Sequence, residues 1–405
     1  MNQLRAQCCV VGGGPAGMMA AMLLARAGVR TVLLEKHGDF LRDFRGDTIH
    51  PSTLDVMAEL GLLESFLKRP HQEVTTLSGN LGDTLITVAD FSHLPTRCKF
   101  VAFMPQWEFL DFLAEEAKRY PSFDLQMQAR AEDLIWEGGR VAGVRAQSPN
   151  GPMEVRADLT IAADGRDSIV RRSAGLDVVE LGAPMDVLWL RLTKHDDDPH
   201  ETFGYIRNGR IMALIDRGAY WQCAYVIPKG TLAQLQERGI EEFRREVSAI
   251  VPFFQPRVAE IAAWDDVKLL TVRVNRLREW YLPGLLCIGD AAHAMSPIGG
   301  VGINLAIQDA VAAANMLAGK LVDGGVTVAD LRAVQRRRES AARMTQTLQL
   351  FIQSKIIGRV LANGRAPLLR RLPGLVRLLP FLPRIPGRLV GLGFRPEHVA
   401  NASIR

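Results

Sequence analysis

The sequence predicts an α/β fold, in which a parallel, doubly wound sheet is interrupted by an antiparallel one and followed by a helical tail. Three observations carry that prediction. Residues 10–35 read as strand, glycine turn, apolar helix and strand; two later strands end in Asp164-Gly165 and Gly289-Asp290; and residues 185–228 have the texture of successive hairpins.

The first unit runs Val10-Val11-Gly12-Gly13-Gly14-Pro15-Ala16-Gly17, then an apolar helix, then a second strand closed by Glu35 and Lys36. Gly12 permits a tight turn, Gly14 lets the backbone approach a pyrophosphate, and Gly17 lets the helix pack closely on the strand. Pro15 and Ala16 open the helix, whose free N–H groups and partial positive charge suit phosphates. Glu35 is placed to accept hydrogen bonds from a ribose hydroxyl pair, with Lys36 beside it as a further contact. The full context, not the glycines alone, predicts a Rossmann-like dinucleotide-binding unit.

Downstream, Arg45 to Thr53 is a loop leading into a helix near 52–60, with Pro51 and Ser52 at its start. Residues 105–119 place Phe109, Phe112, Leu113 and Ala117 on one helical face. Leu159–Ala163 is a short strand. Between 185 and 228, Asn208-Gly209 joins two strands in a hairpin, and a turn at Asp216-Arg217-Gly218 leads to Trp221. Strands near 72–103 and 266–274 are expected to complete this sheet, and one helix over 231–249 to cover it. Another strand, Leu285 to Ile288, precedes a helix over 303–319 and a long helix over 327–357. The division expected is 1–71, 104–175 and 276–325 for the nucleotide, 72–103 and 176–275 for substrate, and 326–405 as a helical, basic tail.

Composition narrows the class. The 405 residues suffice for a large core, and 48% apolar with 23% charged residues is ordinary for a globular protein. The net charge of +5 is misleading, because residues 355–405 hold ten Lys or Arg and one acid. The rest is mildly acidic, which argues against nucleic-acid binding. Five cysteines without a C-x-x-C pair predict a reducing compartment and no redox disulfide. With no room for a signal peptide and no run of 18 uncharged apolar residues, a cytoplasmic protein is expected. No metal-ligand pattern is present.

Taken together, the first motif, Asp164-Gly165-Arg166-Asp167-Ser168, and Gly289-Asp290-Ala291-Ala292-His293 with Pro297-Ile298-Gly299-Gly300-Val301-Gly302-Ile303-Asn304 resemble the p-hydroxybenzoate hydroxylase-like flavoprotein monooxygenases. The likeness spans roughly residues 5–320. It implies FAD, with NADH or NADPH as a transient electron donor, and O₂. Under this resemblance Asp290 accepts from a ribityl hydroxyl. Pro297, Gly299, Gly300, Gly302 and Ile303 form the loop and helix start against the pyrimidine edge of the flavin, where Asn304 adds a side-chain amide. Arg45 and Gln106 match positions contacting the ribose and phosphate region, and Asp164 with Gly165 contacts FAD and the nicotinamide. Val301 and Ala306 depart from the family pattern.

The activity implied is hydroxylation of an aromatic or quinone-like small molecule through a flavin C4a-hydroperoxide. His50 is the leading candidate base and Asp47 the second; the alternative for His50 is capping or bonding backbone, and His293 is expected to be structural. Tyr205, Met212, Leu214, Trp221 and Cys223 are expected along one wall of the substrate pocket, unless they simply pack the sheet. The tail is a lid, a dimer contact, or a basic apolar patch touching an anionic membrane; the chain is a monomer or homodimer. A second G-x-G-x-x-G and the Trp-x-Trp-x-Ile-Pro motif are absent, against a disulfide reductase and a halogenase. An isoprenoid or lipid reductase on the same scaffold, and a non-enzymatic FAD-bound redox sensor, stay open as alternatives.

Overall fold

The computed structural model describes residues 2–41, 48–199, 203–363, 374–376 and 378–400. Two large sheets organise them. The first has eight strands, with a path running Tyr281–Leu282, Leu285–Cys287, Gly151–Ala162, Asn2–Val11, Thr31–Leu34 and Phe123–Gln126. Its centre is parallel: Val11 lies beside Ala162, and Ala162 beside Cys287. Asn2–Val11 and Thr31–Leu34 end in unbroken buried runs, as strands covered on both faces must.

Two helices close one side of that sheet. Pro15–Arg26 is buried along nearly its whole length, and Val301–Val322 packs against it. The segment Ile298–Val322 is long and apolar enough to cross a membrane, which the sequence reading did not anticipate; 67% of its most apolar stretch is buried inside the protein. The strands Arg130–Glu137 and Arg140–Ser148 were also not foreseen. They form an antiparallel ladder continuing from Gly151–Ala162, and their many exposed positions hide the apolar alternation.

The second sheet has seven strands in the order Lys268–Leu270, Met185–Thr193, Tyr220–Pro228, Arg210–Asp216, Phe203–Arg207, Thr76–Leu81 and Thr84–Asp90. The Asn208-Gly209 turn takes positive φ at both residues, as a two-residue hairpin requires. Gln72–Val74 and Val101–Phe103 do not join this sheet; they pair with Thr48–Ile49 in a separate three-stranded one. The single helix expected over 231–249 is two, Leu232–Glu237 and Ile240–Ile250, because Gly239 between them takes φ 87°. Beyond the long helix Val328–Ile352, the helix Arg384–Gly391 seats Gly387 against the backbone of Asp90 and Gly391 against Leu94.

Candidate functional site: a dinucleotide cradle facing the second sheet

Three adjacent parallel strands deliver the three glycine motifs side by side. Gly12 follows Val11, Asp164 follows Ala162 and Ala163, and Gly289 follows Cys287 and Ile288, all at carboxyl ends of neighbouring strands. That edge is where open α/β sheets take ligands.

The first loop is shaped by contact. At Gly12 (φ 103°) a Cβ would lie 2.5 Å from the Ala163 carbonyl oxygen, and at Gly17 it would collide with the Gly12 carbonyl. At Gly14 a Cβ would meet nothing within 4 Å, which leaves open space above the turn. Glu35 is buried; its Oε2 accepts from Gly13 N–H and its Oε1 from His37 N–H, both at 2.9 Å. Lys36 is exposed, and Gln106 begins the helix Gln106–Ala117.

Asp164 links strand to helix. Its Oδ2 accepts from Ile169 N–H at 2.8 Å and Val170 N–H at 3.2 Å, while Oδ1 is buried without a partner. Burial raises its carboxyl above the ordinary range, against those hydrogen bonds. Gly165 takes φ 85°. Arg171 ties the second motif to the third, donating to Ala291 O at 3.1 Å and Arg166 O at 2.7 Å. Arg166 stands 3.8 Å from Asp290, whose carboxylate is one-third exposed.

In the third motif a Cβ on Gly289 would lie 3.0 Å from that of Ala16 and 3.2 Å from that of Ala306. Gly299 and Gly300 are both left-handed (φ 76° and 62°) and turn the chain into Val301–Val322. By position, the first N–H groups of that helix, at Val301, Gly302 and Ile303, have no partner within it. Pro297 precedes the turn, and its neighbours are clamped from the long helix. Gln349 Nε2 donates to Ser296 O and Ile298 O, both at 3.0 Å, and its Oε1 accepts from Ser296 N–H. Gln353 Nε2 donates to Ser296 Oγ at 2.5 Å. Spacing alone gave no sign of these glutamines, because their partners lie more than fifty residues away.

Several expectations need correction. The Asn304 amide is occupied by protein: Oδ1 accepts from His50 N–H at 2.9 Å and Thr53 Oγ1 at 2.7 Å, and Nδ2 donates to Thr48 O at 3.1 Å. It staples the helix start to residues 48–53 instead of offering an amide to a flavin. His50 is 1% exposed, its ring Nδ1 lies 2.7 Å from Val390 O, and burial pushes its pKa down to about 4 against that bond. It is the backbone-bonding histidine, not a general base. Arg45 and Asp47 lie outside the described residues.

The residues expected along a pocket wall pack the sheet instead. Met212, Leu214, Trp221 and Cys223 are fully buried in one cluster with Phe243 and Val247 of Ile240–Ile250, and half-buried Tyr205 packs on it. They fill the space between sheet and helices. The alternate residues point the other way: Trp189, Ala213, Ile215 and Ala224 cluster with Val272, Val274 and Leu350. Ile215 also joins Val390, Phe103 and Leu77, and Val390 reaches within 3.7 Å of where a Gly299 Cβ would be. This second face is thereby connected to the glycine loop.

Comparison with known proteins agrees with this construction. The profile of the FAD binding domain family matches residues 5–347. The chain is 35% identical over 366 residues to 6-methylpretetramide 4-monooxygenase of Streptomyces rimosus, covering 88% of this chain and 86% of that one. It is 25% identical over 341 residues to para-nitrophenol 4-monooxygenase of a Pseudomonas strain, covering 81% and 82%. The fold matches PqsL, a probable FAD-dependent monooxygenase from Pseudomonas aeruginosa, with a TM-score of 0.74 at 21% identity, over 92% of this chain and 100% of that one. The residues fit the cofactor: the space over Gly14 and the carboxylate of Glu35 suit its nucleotide half, and the unpartnered Oδ1 of Asp164 suits its middle. With three strand ends converging on one cradle and a family match across most of its length, the chain belongs to the FAD binding domain family and is an FAD-dependent monooxygenase of the aromatic hydroxylase group.

Proposed function

We propose that this enzyme hydroxylates a polycyclic aromatic substrate of the tetracyclic polyketide type, using NADH or NADPH to reduce FAD. The observation carrying this reading is the 35% identity to a pretetramide monooxygenase over nearly the whole of both chains. The geometry supports it. The sheet face bearing Trp189, Ala213, Ile215 and Ala224 is apolar and runs through Ile215 and Val390 to the glycine loop, the side from which a fused-ring substrate would approach.

In this reading Gly12, Gly14, Pro15, Ala16, Gly17, Glu35 and Gln106 hold the nucleotide half of FAD. Asp164, Gly165, Gly289 and Asp290 hold its middle, and residues 297–303 its ring. Bound and reduced FAD supplies the activated oxygen. The chain's own part is to orient and to dry. The N-terminus of Val301–Val322 places partial positive charge where charge grows on the ring. Ile215 and Val390 exclude water between sheet and loop. In this reading residues 1–71, 104–175 and 276–325 carry most of the FAD site, while the seven-stranded sheet within 76–90 and 185–270 covers the substrate.

The test is NAD(P)H oxidation by the purified holoenzyme with anhydrotetracycline, 4-nitrophenol and a lipid-quinol panel, followed by mass spectrometry. The expected result is acceleration by the fused-ring compound, with one oxygen atom gained per NAD(P)H and O₂ consumed. Acceleration only by 4-nitrophenol refutes the tetracyclic class, and reduction of a substrate without O₂ uptake refutes hydroxylation.

A further inference from the structure

Behind the Gly289–Asp290 turn runs a buried chain of charge that the reaction itself does not use. Gly289 N–H donates to Asp309 Oδ2 at 3.1 Å, and His293 Nε2 contacts the same oxygen at 2.6 Å. Asp309 Oδ1 accepts from Arg338 Nε at 3.0 Å. Arg338 Nη1 then donates to Arg395 O at 2.9 Å and Glu397 Oε1 at 3.2 Å. Glu397 also receives Arg337 Nε at 2.8 Å and Nη2 at 3.1 Å, while its own N–H donates to Gln308. Asp309 and Arg338 are 0% exposed, and Glu397 is 5% exposed.

Such a network is weak evidence for stability alone, since an apolar replacement often serves as well. Its geometry shows another use. One oxygen of the only carboxylate at its centre is committed to the backbone of Gly289, a left-handed residue wedged between Ala16 and Ala306. The next residue is Asp290, whose carboxylate is one-third exposed at the cradle. Arg338 belongs to the helix Val328–Ile352, whose Gln349 grips the loop before Gly299. Burial pushes the Asp309 carboxyl up, but His293 and Arg338 together outweigh it and hold the carboxyl below its ordinary range. The fixed charge therefore sits under the turn, anchored from residues 395–397.

We infer that Arg338 and Glu397 are positioning residues for FAD, acting through Asp309 on the Gly289–Asp290 turn, so that the C-terminal segment 394–400 forms part of the cofactor site. This rests on FAD binding at that turn. Removing the Glu397 charge leaves Asp309 as the one charged partner of Arg338, beside the Arg395 carbonyl, lets the guanidinium shift, and loosens the oxygen that holds Gly289.

The experiment strips the enzyme of flavin and titrates it with FAD, following quenching of flavin fluorescence well below any melting temperature. Wild type, Glu397→Gln, Arg338→Lys and Asp198→Asn are compared. Asp198 belongs to a buried ion pair behind the other sheet and controls for general loosening. Glu397→Gln is expected to weaken FAD binding about tenfold, the scale of a coupling near 1.4 kcal/mol. Arg338→Lys is expected to follow it, and Asp198→Asn to lower only the melting temperature. A Glu397→Gln dissociation constant within twofold of wild type overturns the inference, as does an equal rise in Asp198→Asn. Should Arg338→Lys fail to fold, Glu397→Gln decides alone. A wild-type protein that takes up no FAD overturns the underlying reading instead.

Discussion

Two buried Asp–Arg pairs, one in each half of the molecule, are built for different ends. Asp309 and Arg338 spend their spare hydrogen bonds on a glycine turn and on the chain's C-terminal segment. Asp198 and Arg257 spend theirs within the seven-stranded sheet and its cover. Arg257 donates to both Asp198 oxygens at 2.5 and 2.8 Å and to Thr193 O, and Trp221 Nε1 donates to Asp198 at 2.8 Å. Burial would raise the Asp198 carboxyl, but these partners bring it down to about 2. The same chemistry closes a fold in one place and aims a loop in the other; what separates them is the identity of the third partner.

The largest effects test that separation directly. Arg338→Met and Arg257→Met each strand a buried carboxylate and are expected to cost about 3–5 kcal/mol in urea unfolding of the flavin-free protein. Saturating FAD should then raise the unfolding midpoint of Arg257→Met as much as that of wild type, through mass action. Arg338→Met should gain less. Equal gains would erase the distinction.

Neighbouring residues on one strand sharpen it next. Leu214 is fully buried under the helices, whereas half-buried Ile215 faces the other way. Leu214→Ala is expected to lose about 3 kcal/mol of stability with an unchanged KM for the accelerating substrate. Ile215→Ala should be milder in stability and should change KM. The reverse pattern would return the pocket wall to the helix-covered face.

Acid separates the regions by pH. His50 is held neutral, with a pKa near 4 against an ordinary 6.5, so the unfolded chain binds the extra proton first. Its contribution is fully present above pH 6.5 and is lost as pH falls toward 4, about 3 kcal/mol in all. Asp198 works lower: its contribution holds above the ordinary carboxylate pKa of 3.8 and is lost as pH falls through about 2. Urea midpoints at pH 7.5 and 4.5 should therefore converge in His50→Gln and stay far apart in Asp198→Asn. The smallest effect is that of Trp221→Phe, which removes one buried hydrogen bond to Asp198. Roughly 1–2 kcal/mol should be lost with no change in the flavin spectrum.

The cradle was legible because its requirements are local. Gly12, Gly165, Gly289, Gly299 and Gly300 all take the positive φ that marks a glycine turn, and each motif directly follows its own strand. Which face of the sheet the helices cover was not legible, for a reason equally physical. Both faces of Arg210–Asp216 are apolar, and alternation states that there are two faces without saying which one the helices cover. The role of Asn304 failed similarly. Its place in the first helical turn was readable, but His50 and Thr53, which claim its oxygen, lie some 250 residues earlier. The glutamines that hold the loop before Gly299 and the Arg338–Glu397 pair belong to the same class, since only the folded chain brings them near.

The strand Gly151–Ala162 accepts Asn2–Val11 on one side and, at Thr160 to Ala162, Leu285–Cys287 on the other. The second neighbour is synthesised only after the whole antiparallel sheet. Until then the end of that strand, Thr160 to Ala162, has a bare edge in the growing chain, a short template for any other chain that meets it. A polypeptide that stops short of Leu285 therefore lacks more than its third glycine loop: it also leaves one edge of the central strand of its parallel sheet unpaired at the end where the cradle forms.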